Sequence, residues 1–304
     1  MRCGWAGPGA VMQKRRGEGR VEESAGMNRR YGCSAEDLSR YTCLRTSRPI
    51  SIDGNLNKKP WTTAPRSDRF VDLVSGAPAW LGTQMAGLWD EENLYLAFWL
   101  EEPDVRASLT ERDSFIWTEN DLEVFIAGPD CYYEFQVNAL GTIYEVFYIW
   151  QDAYRRGGFS DKPEFDLAAH KVDVLAGFQD AARHGRHPRG KRWAFLDWDF
   201  PGLRWAVKVG GTLNDNSDMD RGWTVELAFP WKGMAALAQG RPLPPRNGDV
   251  WRMAFMRFEA AQANGIRLSP DPGWALNRHG VYDSHIPECF SFVRFSTQEA
   301  SGFD

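Results

Sequence analysis

Two short segments carry the residue types that could do chemistry. In Asp121-Leu122-Glu123-Val124-Phe125-Ile126 and in Tyr132-Tyr133-Glu134-Phe135-Gln136-Val137-Asn138, acids and amides alternate with apolar side chains. A period of two marks a strand, whose side chains point to opposite faces in turn. Asp121, Glu123 and Phe125 then share one face, with Leu122, Val124 and Ile126 on the other. Tyr132, Glu134, Gln136 and Asn138 share a face in the same way. Gly128-Pro129-Asp130 is a turn signal between the two segments. Antiparallel pairing through that turn sets the two polar rows side by side. Trp117 precedes Glu123 by six residues. If the chain is extended there, its indole projects at the lip of the polar patch.

A flat indole beside carboxylates and amides suits a pyranose. The C–H face of the sugar lies on the ring, and its hydroxyls bond the polar groups. Stacking contributes about 0.5–1.5 kcal/mol beyond burial and each net hydrogen bond about 1 kcal/mol. One stack with a few hydrogen bonds gives micromolar to millimolar affinity. The competing reading is a plain solvent face of an antiparallel sheet. Another alternative is hydrolysis of O-glycosyl bonds by Asp121 and Glu123, or by Glu123 and Glu134. Retaining chemistry needs carboxyls about 5–5.5 Å apart, whereas residues i and i+2 of a strand lie about 6.5–7 Å apart. An open polar face also offers little desolvation to raise an acid's pKa. Catalysis is therefore the less favoured reading.

Other constellations are sparser. Arg252 and Arg257 have opposite parity on one strand, so one of them, Arg257 by choice, reaches the ligand. The loop Asn214-Asp215-Asn216-Ser217-Asp218-Met219-Asp220 is rich in oxygen donors but lacks EF-hand spacing, and reads as a solvated hairpin loop. No GxSxG, HExxH or P-loop pattern occurs.

The elements that must position these residues read as strands. They are expected over 79–89, 94–100, 122–126, 132–138, 142–149, 203–209, 223–229, 250–258 and 289–295, with one short helix over 231–238. Short strands with turn punctuation indicate an all-β antiparallel sandwich. The segment 152–202 is weakly patterned, and its middle is expected to be a long exposed loop. Residues 1–44, rich in Gly, Arg and Glu, read as a disordered or mis-annotated segment, with Met27 as an alternative initiator. Residues 45–298 form the expected domain.

Composition bounds the partners. A net charge of −5 argues against nucleic acid, which needs a concentrated basic face. No apolar run approaches the roughly 18 residues of a membrane span. The opening residues lack the apolar core of a secretory signal, so the expected location is cytoplasmic, or secreted if the start is mis-assigned. Fourteen Trp residues exceed the needs of a core and fit a surface that binds partly apolar ligands. Five cysteines, an odd number without a CxxC pair, suggest buried or incidental thiols.

Several fragments, in order, resemble family 9 carbohydrate-binding modules and their DOMON-like relatives. They are IDGNLNKKPW, LWDEENLYLAFWLEE, RDSFIWTENDLEVFIAGPDCYYEFQVNALGTIYEV, DRGWTVELAFPW and GDVWRMAFMRFE. The closing HIPECFSFVRF resembles the ending of a bacterial branch of the group. The resemblance spans about residues 48–296. It implies a non-catalytic module that binds oligo- or polysaccharide, such as xylan or cellulose fragments, in carbohydrate catabolism beside a partner glycan-degrading enzyme. Trp117 falls at one tryptophan of the family's aromatic sandwich, Glu123 at a sugar-bonding glutamate, and Asn138 at an asparagine of the next strand. Gln136 stands where the family has an arginine. The second sandwich aromatic falls among Trp274, Tyr282 and His285. No cofactor is required, although such modules carry structural calcium. Some DOMON-like relatives are haem-binding electron carriers, and His170 and His285 are the histidines near strands that such a role would need.

Overall fold

The computed structural model describes residues 31–34, 36–177 and 187–300. Sixteen strands follow along these described residues. The first four are β1 (Arg40–Arg45), β2 (Val71–Asp72), β3 (Thr83–Trp89) and β4 (Asn93–Leu100). A meander follows of β5 (Asp121–Ala127), β6 (Cys131–Val137) and β7 (Ile143–Trp150), then β8 (Val172–Leu175) and β9 (Arg192–Phe195). Next come β10 (Arg204–Val209), β11 (Trp223–Pro230) and β12 (Val250–Phe258). The last are β13 (Gln262–Ala263), β14 (Ile266–Arg267), β15 (Gly273–Ala275) and β16 (Ser291–Glu299). The helices are short: α1 (Lys59–Thr63) and α2 (Ala235–Ala238), the latter entered through a 3-10 turn, Trp231–Met234. No helix among the described residues is long and apolar enough to cross a membrane.

The strands form two layers. One runs β10-β11-β4-β3; the other runs β16-β12-β5-β6-β7-β9-β8. β1 joins them, pairing in parallel with β16 through Arg40–Cys43 and with β3 through Leu44 and Arg45. The layers bury Leu94, Leu96 and Phe98 of β4 against Leu122, Val124, Ile126, Phe135 and Val137 of β5 and β6. That is the apolar parity of both meander strands, so alternation alone directs the main core. At about 25 cal/mol per Å² of buried apolar surface, this inter-sheet layer is the dominant favourable contribution to folding. The expected antiparallel β-sandwich with one short helix over 231–238 is what the structure holds, with α1 as an addition.

On the outer face of the first layer, the IDGNLNKKPW segment is pinned on buried Glu226. That carboxylate accepts from Trp61 Nε1 (2.6 Å) and from the backbone N–H of Asp53 (2.9 Å) and Gly54 (3.0 Å). Gly54 has φ +75°, and a Cβ there would lie 3.0 Å from the Val207 backbone carbon, so the turn needs glycine.

Three expectations change. Residues 1–30 and 35 lie outside the described residues, but the domain does not begin at 45. Tyr31, Cys33 and Leu38 are buried, and β1 is a sheet member from Arg40. Cys33 is disulfide-bonded to Cys289, across a sequence separation of 256 residues. The reading of all five cysteines as thiols therefore fails for this pair, because spacing cannot show a contact so distant. Cys43 and Cys131 are buried free thiols. Finally, the segment 152–202 is not simply a loop. β9 pairs antiparallel with β7, and β8 with β9, extending the second layer by two strands. The middle of the expected loop, 178–186, lies outside the described residues.

Candidate functional site

The outer face of the second layer carries the polar rows. Glu123 pairs directly with Gln136 and Phe125 with Glu134 across β5 and β6, and Tyr144 stands opposite Gln136 on β7. This face is only partly open to solvent. Three segments wall it into a cavity of about 820 Å³, within the usual range for small-molecule sites. One wall is the turn bearing Phe115 and Trp117. A second is the stretch Arg267 to Asp271 after β14. The third runs from Tyr282 to His285 before β16. β8 and β9 complete the rim with Asp173, Ala194 and Leu196.

The floor is a hydrogen-bonded cluster. Gln136 Nε2 donates to Glu123 Oε1 (2.9 Å) and to Glu134 Oε1 (2.8 Å), and the Tyr148 hydroxyl donates to Glu134 Oε2 (2.7 Å). Both amide protons of Gln136 are thus committed to carboxylates. Glu123 Oε2 and Gln136 Oε1 are buried without a hydrogen-bond partner among the described residues. Buried acceptors without a partner cost roughly 1–3 kcal/mol each, which a ligand that donates to them would recover.

Burial, rather than exposure, sets the acidity of this floor. It pushes the Glu123 carboxyl well above the ordinary range, aided by the charges of Asp121, Glu134 and Asp283 and opposed by the Gln136 hydrogen bond. Glu134 is pushed up to about 7 by burial, against the hydrogen bonds from Tyr148 and Gln136. The expectation that this face is too open to raise an acid's pKa is overturned. The walls supply desolvation that the two strands alone would not.

Aromatic groups surround the cluster. Phe115 and Trp117 are 57% and 52% exposed, with ring centroids 5.6 Å apart, so both offer free faces. Trp117 is not on an extended approach; it sits in a 3-10 turn, Ile116–Thr118, anchored by the buried Ile116. Arg267 Nη2 donates to the Thr118 carbonyl (3.0 Å) and forms an ion pair with Asp271, which ties two walls together. Tyr282 meets Phe258 edge-on at 5.7 Å. His285 lines the far wall among Phe125, Tyr132 and Tyr148, with Nδ1 and the Tyr132 hydroxyl 3.3 Å apart. Burial and the nearby Arg192 charge lower its pKa to about 3, so the ring is neutral.

Trp117, Glu123, Glu134, Gln136, Tyr282 and His285 therefore converge on one cavity. Four other expected ligand residues do not line it. Asp121 is fully buried beneath, its Oδ1 accepting from the Phe258 N–H (3.2 Å), and burial raises its pKa strongly. Asn138 lies just past the end of β6, where strand parity lapses. Its Nδ2 donates to the Leu109 carbonyl (2.8 Å) and Glu119 Oε1 (2.7 Å), and its Oδ1 accepts from the N–H groups of Leu140 and Thr142. Arg257 points to the opposite face of β12. It pairs with Glu102 (3.0 Å) and Glu259 (2.7 Å) and is wholly buried. Trp274 stands opposite Arg257 on β15, faces the same interior and is 2% exposed. Sequence reasoning missed Phe115, Tyr144, Tyr148 and Phe258. The tyrosines share one parity of the next meander strand, so their signal was present, whereas Phe115 sits at the start of a 3-10 turn that alternation does not describe.

The remaining candidates have local roles. In the 214–220 loop, Asn214 Oδ1 accepts from the Ala107 N–H (3.0 Å), Asp220 Oδ2 from the Val105 N–H (2.8 Å) and Asp215 Oδ1 from the Ser217 N–H (2.9 Å). These oxygens tie down the hairpin. No group of three or more His, Cys, Asp or Glu suited to a metal ion occurs among the described residues. His170 is held by Asp197 (3.2 Å) and lies against Phe195 of the inter-sheet core, so it is not brought to the face that carries His285.

No family model matches the sequence, and no curated protein matches it. Among solved structures, the chain is similar to a protein of Bacteroides uniformis ATCC 8492 whose name suggests carbohydrate binding. The two are 13% identical, with 85% of this chain and 99% of that one covered and a TM-score of 0.54. It is also similar to a family 9 carbohydrate-binding module of Caldicellulosiruptor kristjanssonii solved with glucose, at 13% identity, 88% and 100% coverage and a TM-score of 0.48. The same organism's module solved with cellotriose aligns at 12% identity, 88% and 98% coverage and 0.47. The expected β-sandwich is the fold that this chain shares with the Bacteroides protein.

Proposed function

We propose that the chain binds a saccharide in the cavity on the outer face of its second layer. The observation that carries this reading is the pair of buried acceptors, Glu123 Oε2 and Gln136 Oε1, left without partners at the floor of an aromatic-walled cavity. Sugar hydroxyls donate to both, while the C–H face of the ring lies on Trp117 or Phe115. The ligand is an oligo- or polysaccharide such as a xylan or cellulose fragment, and the role is a non-catalytic one in glycan breakdown beside a degrading enzyme. Titration of soluble oligosaccharides by calorimetry tests it. Trp117→Ala, at a half-exposed site, should keep the parent's thermal stability and lose roughly three- to tenfold in affinity. Affinity equal to the parent's for every glycan bound would remove Trp117 from the site.

A second reading is hydrolysis of O-glycosyl bonds, favoured by one observation: burial raises the pKa of Glu134 to about 7, a value suited to a general acid. Release of reducing ends by the pure protein, abolished in Glu134→Gln, would establish it.

A further inference from the structure

We infer that the saccharide carries an ammonium group, so that the site prefers an amino sugar with a free amine over its neutral counterparts; this rests on the saccharide reading above. The unmet hydrogen-bonding demand of the floor is all of one kind. Glu123 Oε2 and Gln136 Oε1 both need donors, and Gln136 has no proton left to give a ligand. A sugar hydroxyl offers one proton, whereas an ammonium offers three and a charge. Glu123 is 3% exposed and Gln136 2%. Glu123 and Glu134 sit beside each other without a basic partner, and Arg267 is the only Lys or Arg among the described residues that line the cavity. Its guanidinium is already bonded to Asp271 and to the Thr118 carbonyl.

The aromatic lining suits the same cation. Tyr144, Tyr148 and Trp117 line the same cavity as the carboxylates, and ring faces attract an ammonium within about 6 Å of their centroids. One charge-assisted pair here outweighs a neutral hydrogen bond. Burial and the neighbouring acids raise the pKa of Glu123 well above its ordinary value. An arriving ammonium favours its ionised form, and binding then releases a proton.

Three tetrasaccharides of matched length separate the possibilities at pH 6.5: fully deacetylated chitosan, fully acetylated chitin and cellulose. The deacetylated oligomer should bind about tenfold more tightly than either of the others, with measurable proton release when titrations are run in two buffers of different ionisation enthalpy. Glu123→Gln, which keeps the shape, should reduce that preference to near unity. If chitin or cellulose tetrasaccharide binds as well as or better than chitosan, the ammonium assignment is overturned while the saccharide site stands. If none of the three binds, both fall.

Discussion

Glu123 and Gln136 stand directly opposite each other on β5 and β6, and one amide proton of Gln136 closes a 2.9 Å hydrogen bond on the glutamate. The same nitrogen bonds Glu134 at 2.8 Å, so a single neutral donor holds two buried carboxyl groups together.

Removing the bridge should therefore cost stability as well as binding. Gln136→Leu leaves Glu123 without a donor and Glu134 with only the Tyr148 hydroxyl, at about 1–3 kcal/mol for each acceptor orphaned. Urea denaturation at pH 7 should show this loss. It should shrink at pH 4.5, where both carboxyls are neutral and one can donate to the other.

Stability should also depend on pH through Glu134. Its folded pKa, about 7, lies above the ordinary glutamate value of about 4.3. Its contribution is then fully present below about pH 4.3 and is lost as pH rises through 7. Glu134→Gln should match or trail the parent near pH 4.5 and exceed it at pH 8. Urea midpoints across that range provide the check, and two parallel curves would contradict the assignment.

Asn138 supports the β6–β7 turn and is not a ligand group. Asn138→Ala should cost about 1 kcal/mol, because the part-buried backbone N–H groups of Leu140 and Thr142 lose their acceptor. Its saccharide affinity, measured below the unfolding transition, should equal the parent's.

Arg257 balances Glu102 and Glu259 in the interior. Asn120 Nδ2 donates to both carboxylates at 2.6 Å, and Trp223 Nε1 to Glu102 at 2.7 Å. Arg257→Leu removes the only cation of this network among the described residues and should destabilise by about 3–5 kcal/mol. Thermal or chemical unfolding of the variant tests this. Replacing Arg257, Glu102 and Glu259 together by apolar residues should restore much of the loss.

What the sequence by itself determined was local. Alternation placed Leu122, Val124 and Ile126 in the core, and Glu123, Glu134 and Gln136 on the other face, because a strand's period of two leaves no other choice. The turn at Gly128-Pro129-Asp130 set those two polar rows side by side. Parity on β12 separated Arg252 from Arg257 but could not say which face met solvent, and Arg257 lies in the interior. Only the tertiary structure decided that the polar face is roofed. The walls come from Phe115 to Thr118, from β8 and β9, and from the stretch between Arg267 and His285, more than a hundred residues from β5 along the chain. The same holds for the Cys33–Cys289 bridge. Short-range periodicity reports which way a side chain points. Long-range packing decides what covers it, and that covering turns a solvated row of acids into a desolvated, raised-pKa site.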